Sequence, residues 1–210
     1  MSRSLEAHEI AAKKADLVAT AIALLEAEGP EGLTLRRLGE RAGISRTTPY
    51  LYFRDKAALL DAVRAAGLER LSDHCEAEAG RESLTPLERM RHFGHAYLAF
   101  GRANPNLYQL LFESGVSKEV PCETIAGALE RYLDLVEAPL REAEAAGLLA
   151  LPAERLNQVL WASTHGLIKL HQAGHIASEA AFDAVWNDLS EVLATGFLSP
   201  QARSRPTAEC

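Results

Sequence analysis

Apolar residues along this chain recur at helical spacing between Gly and Pro breaks, and no stretch alternates apolar with polar long enough to make a strand. Leu17, Val18, Ala21, Leu24 and Leu25, for example, fall on one stripe of a single helix. Composition agrees where it bears on the point: 36 Ala and 32 Leu stand against 8 Val and 6 Ile. Strong helix formers therefore far outnumber the β-branched residues that favour sheets, and the expected fold class is all-α. The 210 residues are enough for one or two domains with real cores. The longest run without a charge, Leu156 to Ile168, is 13 residues. A bilayer span needs roughly 18, so no transmembrane helix is expected. Nor does an apolar stretch follow the first charges of MSRSLEAHEIAAKKAD, so no secretory signal is read and a cytoplasmic location is expected.

The punctuation divides the chain into about nine helices. The first runs from about Glu9 to Glu28 and stops at Gly29-Pro30 and Gly32. A short second follows Thr34, a cap residue, and ends at Ala42-Gly43; a third follows Ser45 to about Tyr52; a long fourth follows Asp55 and lasts until just before Gly80. Thr85-Pro86 opens a fifth, Asn104-Pro105 separates a short sixth ending near Phe112, and a seventh runs from about Glu123 to Ala146 with a kink expected at Pro139. The eighth spans Pro152 to about Ala173 and the ninth about Ser178 to Thr195. The first eight or so residues, and the tail 199–210, are polar and Pro-bearing and are expected to be poorly ordered.

The net charge is −7, which argues against a general polyanion binder. Residues 1–58 nevertheless carry net +1 and residues 59–210 net −8, so one end alone is suited to nucleic acid. Cys75, Cys122 and Cys210 lie far apart with no CxxC, which suits a reducing compartment and packing roles rather than disulfides or a thiol or metal sensor.

The segment Leu33–Leu60, LTLRRLGERAGISRTTPYLYFRDKAALL, carries the chemistry. Two short helices joined by a tight turn at Gly43-Ile44-Ser45 have helix-turn-helix spacing. Gly43 can take the positive φ that ends a helix abruptly, Ile44 is expected to plug the angle between the helices, and Ser45 to cap the second. That leaves Arg46, Thr47 and Thr48 on the leading turn, which in such motifs faces the major groove. Arg can reach guanine O6 and N7, and Thr offers a hydroxyl or a methyl to a base edge. Ser45 itself and Thr34, Arg36, Tyr50, Tyr52 and Lys56 complete the candidate DNA contacts, the last five chiefly as partners for phosphate. Phe53 reads mostly as packing, and Tyr50 as both packing and contact.

The pattern Leu38-Gly39-x-x-Ala42-Gly43-Ile44-Ser45-x-x-Thr48-Pro49-Tyr50-x-Tyr52-Phe53-x-x-Lys56-x-x-Leu59 closely resembles the DNA-binding domain of the tetracycline-repressor (TetR) family, over about residues 10–60. Two positions depart from the family pattern. Gly39 stands where Ala is usual, which is expected to loosen a helix contact, and Tyr52 stands where His is common. Pro49 lies in the first turn of the expected recognition helix, where tolerance is greatest. The rest of the chain, with Tyr97-x-x-Phe100, Asn104-Pro105-x-x-Tyr108-x-x-x-Phe112 and Trp161-x-x-x-His165-Gly166, resembles the family's C-terminal regulatory domain in the subgroup bearing that Trp…His-Gly signature. The resemblance implies an N-terminal three-helix DNA-binding domain at 1–58, a helical effector-binding and dimerisation domain at 59–198 and a flexible tail at 199–210. It implies a ligand-responsive homodimer, by family default a repressor, on a palindromic double-stranded operator, with a small-molecule effector and no cofactor or metal.

Polar groups among apolar helical residues suggest an effector pocket of His95, Tyr97, Tyr108, Asn157 and His165, walled by Phe100, Phe112 and Trp161. Leu156, Leu160, Ser163, Leu167 and Leu170 form one stripe, and Phe182, Val185, Trp186, Leu189, Val192 and Leu193 another; both fit a four-helix dimer bundle, with Gly166 permitting close approach, and both equally fit the domain's own core. An enzymatic reading has less behind it. His92 and His95, or His171 and His175, have possible metal spacing, but no HExxH-type carboxylate, Gly-rich phosphate loop or GxSxG elbow accompanies them.

Overall fold

The computed structural model describes residues 2–79, 83–112 and 123–200. Eight α-helices account for most of them, and the only β pairing among the described residues is one isolated bridge, Leu149 to Leu198. The chain divides into two compact units, Met1–Leu71 with Asn104–Tyr132, and Ser72–Ala103 with Leu133–Cys210.

In the first unit, α1 (Ser2–Gly32) begins earlier than the predicted Glu9, and it breaks at Gly29, whose φ of 72° ends regular helix where Gly29-Pro30 predicts. Leu17, Val18, Ala21, Leu24 and Leu25 are all buried, as their spacing requires. α1 packs against α2 (Leu35–Arg41) and α5 (Pro105–Phe112). One carboxylate fastens the latter contact. Glu26 accepts hydrogen bonds from the backbone N–H groups of Leu107 at 2.7 Å and Asn106 at 3.4 Å, while its own carbonyl accepts from Asn106 Nδ2 at 3.2 Å. It thereby satisfies two of the donors that the start of α5 leaves open and sets a negative charge at the positive end of that helix. α3 (Lys56–Ala79) starts where Asp55 Oδ1 accepts from the Ala58 N–H at 2.8 Å, the expected cap. Gly67 on α3 lets Leu107 approach so closely that a Cβ there would lie 2.9 Å from Leu107 Cδ1.

In the second unit, α4 (Pro86–Ala103) opens with a reciprocal cap. Thr85 N–H donates to Glu88 Oε2 at 2.7 Å and Glu88 N–H donates to Thr85 Oγ1 at 3.3 Å. The Thr85 hydroxyl, which also donates to Glu88 Oε2 at 2.7 Å, and then the Thr85 N–H hold the Glu88 carboxyl below its ordinary range. α7 (Ala153–Gln172) packs against both α4 and α8 (Glu179–Phe197). Leu140 of α6 (Glu123–Ala145), which continues through Pro139, clusters with Ala153 and Leu156 of α7. Phe182, 1% exposed, anchors α8. The Arg102 guanidinium lies 4.6 Å from the centre of its ring, and His171 meets it edge-on at 5.0 Å. Arg102 also pairs with Glu179 and, at 2.9 Å, with Asp183, so one cation clamps the first turns of α8 to the end of α4.

The flexible tail expected from residue 199 does not begin there. Ser199 N–H donates to Leu148 O at 2.8 Å, Ser199 Oγ to Gly147 O at 2.9 Å, and Ala150 N–H to Phe197 O at 2.7 Å. These bonds tie the chain after α8 to the turn at Gly147; residues 201–210 lie outside the described residues. Cys75 is fully buried, and burial pushes its thiol up to about 12, so it packs as a small hydrophobe; Cys122 and Cys210 lie outside the described residues. Because Phe182 holds α8 against two neighbours, Phe182→Ala is expected to cost about 3–5 kcal/mol of unfolding free energy; urea unfolding followed by circular dichroism measures it.

Candidate nucleic-acid interface

Thr34 caps α2 as expected, its Oγ1 accepting from Arg37 N–H at 3.2 Å. α2 ends at Arg41 with Ala42 as its C-cap, and Gly43 takes φ 69°, reversing the chain within one residue. The next element differs from the sequence expectation. No α-helix runs from Ser45 to Tyr52; residues 46 and 47 form a turn, and a 3-10 turn covers only Thr48–Leu51. Pro49 is the physical reason. It has no N–H to donate, and the bonds that form close short loops, from Tyr50 N–H to Thr47 O at 3.1 Å and Tyr52 N–H to Pro49 O at 3.0 Å. Ser45 still serves the start of this element: its Oγ accepts from Thr48 N–H at 3.2 Å and lies 3.0 Å and 2.8 Å from the Thr47 and Thr48 hydroxyls.

Two expectations about packing are reversed. Ile44 does not plug the angle between the elements; it is exposed, because the tight turn carries its side chain outward. Leu38, Pro49 and Phe53 are the buried residues there. Gly39, expected to loosen a contact, instead permits one. A Cβ at Gly39 would lie 2.9 Å from Ser45 O, 3.2 Å from Arg46 Cα and 3.4 Å from Pro49 Cγ. The Ser45–Leu51 turn thus rests backbone-to-backbone on α2, and only a residue without a side chain fits beneath it.

This packing leaves the polar residues outside. Arg36, Ser45, Arg46, Thr47, Tyr50 and Lys56 are exposed, and Thr34, Thr48 and Tyr52 are half-buried. Arg46 Nε donates to Glu40 Oε1 at 2.9 Å, and Lys56 Nζ donates to Pro30 O at 3.3 Å. Arg37 pairs with Glu28 instead of standing free. Phe53 is 1% exposed beneath Lys14, whose Nζ is 5.7 Å from the ring centre, while Tyr50 is 55% exposed. Phe53 is therefore core and Tyr50 surface. Leu51, which nothing in the sequence pattern singles out, is 82% exposed at the tip of the turn.

The residues assigned to an effector pocket separate into groups. In the second unit, Trp161 Nε1 donates to Tyr97 Oη at 3.1 Å and the Trp161 ring lies 5.7 Å from His165. Asn157 precedes them on the same face of α7. His95 is not with them. It turns to α8, where its Nδ1 accepts from Trp186 Nε1 at 3.1 Å with the rings edge-to-face. Partial burial, then the charges of Arg91 and His92, lower its pKa and keep it in the neutral form that can accept this bond. Phe100 lies 6.3 Å from His74. Tyr108 and Phe112 belong to the first unit, 4.9 Å apart with their rings tilted and Phe112 facing Tyr132 at 6.2 Å.

The expected dimer stripes also divide. Leu156, Leu167 and Phe182 are buried within their own chain, and Leu160 packs on the Leu140–Leu156 cluster. Trp186 is half-buried against His95 and Leu189 is half-buried, leaving Leu170, Val185 and Val192 as the exposed members. On α7 the strongest apolar stripe fills the unit's own core. The open face carries Val159, Ala162, Gly166 and Leu170 on α7, with Val185 and Val192 on α8. Among the described residues no group of three or more His, Cys, Asp or Glu is placed to hold a metal ion, and no helix is long and apolar enough to cross a membrane.

Gly39→Ala tests the backbone contact under the reading turn. Overpacking there is expected to cost about 1–3 kcal/mol, read as a lowered urea midpoint, with amide shifts in nuclear magnetic resonance spectra concentrated at Ser45–Tyr50.

Comparison with known proteins places these units. Residues 17–63 match the family described as bacterial regulatory proteins, tetR family, and residues 90–193 match the tetracyclin repressor-like C-terminal domain. The chain is 48% identical over 52 residues to the tetracycline repressor protein class C of Escherichia coli, covering 25% of this chain and 24% of that protein. It is 36% identical over 85 residues to the class A repressor from transposon 1721 of the same organism, covering 40% and 39%. The aligned part thus spans well under half of these curated relatives. A solved structure of a protein of unknown function from Rhodococcus sp. RHA1 superposes with a TM-score of 0.77 at 28% identity, over 89% of this chain and 95% of that one. With a helix-turn-helix head of the matching pattern and a helical C-terminal domain matched in turn, the chain belongs to the TetR family of DNA-binding transcription regulators and is not an enzyme.

Proposed function

We propose that the chain is a homodimeric repressor that holds a palindromic operator and releases it when a small, largely apolar molecule binds its C-terminal domain. The observation that carries the DNA half is the exposure of Arg36, Arg46, Thr47 and Tyr50 around a turn pinned to α2 through Gly39. Arg36 and Arg46 supply donors for base edges, and Thr34, Tyr52 and Lys56 for phosphate. Ser45 and Thr48, bonded to one another, shape the turn. Two such heads on a symmetric pair fit successive major grooves, roughly 34–36 Å apart.

The open apolar face of α7 and α8 supports a second copy as the partner. Leu170 is 50% exposed and Val192 67%. A Cβ at Gly166 would meet nothing within 4 Å, which leaves room for a neighbouring helix. The aromatic group Tyr97, Trp161 and His165, with Asn157 on the same face, suits an apolar ligand held by one or two hydrogen bonds. Such a ligand would act by favouring a state in which the two heads are wrongly spaced.

Gel shifts on the chain's own upstream region test the reading. Affinity is expected to fall steeply with salt, and Arg36→Ala or Arg46→Ala to weaken binding roughly 5- to 150-fold, the equivalent of about 1–3 kcal/mol. Salt-insensitive or sequence-indifferent binding would count against it. Val192→Glu, a charge on that exposed face, is expected to shift sedimentation from dimer to monomer and to abolish tight operator binding while leaving the helical circular dichroism intact. A thermal-shift screen of hydrophobic and aromatic compounds, with gel-shift reversal for each hit, tests the effector.

A further inference from the structure

Glu40 lies in the last turn of α2, outside every residue so far assigned to DNA. It is an acidic group on the surface that must approach a polyanion, which calls for a reason. Its Oε1 accepts a hydrogen bond from Arg46 Nε at 2.9 Å. Both partners are well exposed, with 67% of the Arg46 side chain and 38% of the Glu40 side chain open to solvent. A pair so exposed adds little to folding stability, so holding the fold together is not what it is suited to.

The atom it engages is informative. An arginine has one inner N–H at Nε and two terminal nitrogens. With Nε committed to Glu40, the terminal pair points away along the guanidinium's outer edge. A two-pronged donor of that shape matches guanine, which presents O6 and N7 side by side in the major groove. The two backbones are held close to one another, because residues 39 and 40 are adjacent and Ser45–Arg46 rest directly on Gly39. The nearby Arg37 donates to Glu28 and feels the Glu40 charge only as a lesser, longer-range influence.

We infer that Glu40 is a positioning residue that holds Arg46 by its inner nitrogen and aims its terminal nitrogens at a guanine in the operator. This rests on the reading of Arg46 as a base contact. Glu40 lowers affinity for DNA in general, by repelling phosphate, while raising preference for guanine at one operator position. Those two effects move in opposite directions, which a residue that only stabilises the head would not produce.

The test uses the full chain. Selection from random duplex DNA defines the preferred site, and dissociation constants are then measured on that site and on a copy with the Arg46-dependent guanine pair changed to adenine–thymine. For Glu40→Ala the guanine-to-adenine preference is expected to fall fivefold or more, binding to unrelated DNA to tighten, and the thermal midpoint to stay within a degree or two. Glu40→Gln keeps an acceptor oxygen for Nε and is expected to retain most of the preference. In an Arg46→Ala background, Glu40→Ala is expected to change the preference no further. Unchanged preference in Glu40→Ala, with preference lost in Arg46→Ala, overturns the role of Glu40 and leaves the reading of Arg46 standing. Unchanged preference in Arg46→Ala overturns both. Equal loss in Glu40→Gln and Glu40→Ala overturns the hydrogen-bonded positioning.

Discussion

The contact between Gly39 and the backbone of Ser45 and Arg46 is the constraint from which the head of this protein takes its shape. A Cβ at residue 39 would stand 2.9 Å from a carbonyl oxygen, closer than such atoms come in folded proteins. With no side chain in the way, the turn lies flat on α2, Pro49 and Phe53 go into the interior, and Arg46, Thr47 and Tyr50 are left on the outside. The positive φ of Gly43 reverses the chain so that this contact can form. The exposure of these polar groups is a consequence of backbone proximity more than of any single side-chain bond.

Around that head, each unit is closed by charges placed against helix ends or aromatic rings. Glu26 meets the start of α5 from α1, and Arg102 meets the start of α8 from α4 while covering Phe182. These contacts join helices far apart in sequence with directional groups, where leucine packing alone would tolerate sliding. The same device appears at Trp186 and His95. A neutral imidazole accepts an indole N–H, so a partly exposed pair of rings gains a defined orientation.

Helix positions, caps at Thr34 and Asp55, breaks at Gly29 and Gly147, and the family of the head are all legible in the sequence, because each depends on local rules of period and turn chemistry. The recognition element is not. Pro49 reads as tolerable in the first turn of a helix, yet a segment this short has no later turns to carry it. Gly39 reads as a weakness because a glycine's effect depends on what approaches it, and Ser45 and Arg46 come near only once the turn is made. The stripes on α7 and α8 are visible in the sequence, but period alone does not say whether a stripe faces its own core or a partner; Leu156 and Phe182 go inward, and Val159 and Val192 outward. The Thr85-x-x-Glu88 spacing is a capping signal that the Thr85-Pro86 start overshadows. Glu40, an ordinary surface acid by sequence, gains interest only from the atom it binds.

The close seating over residue 39 also bears on how such heads could be recombined. Exchanging the reading turn alone between relatives, as one would swap a cassette, ignores the floor it stands on. An alanine at that place would force the turn to shift away from α2, and with it the groups the turn carries. Donor turn and recipient floor therefore form one heritable module, and altered specificity is to be sought by moving them together.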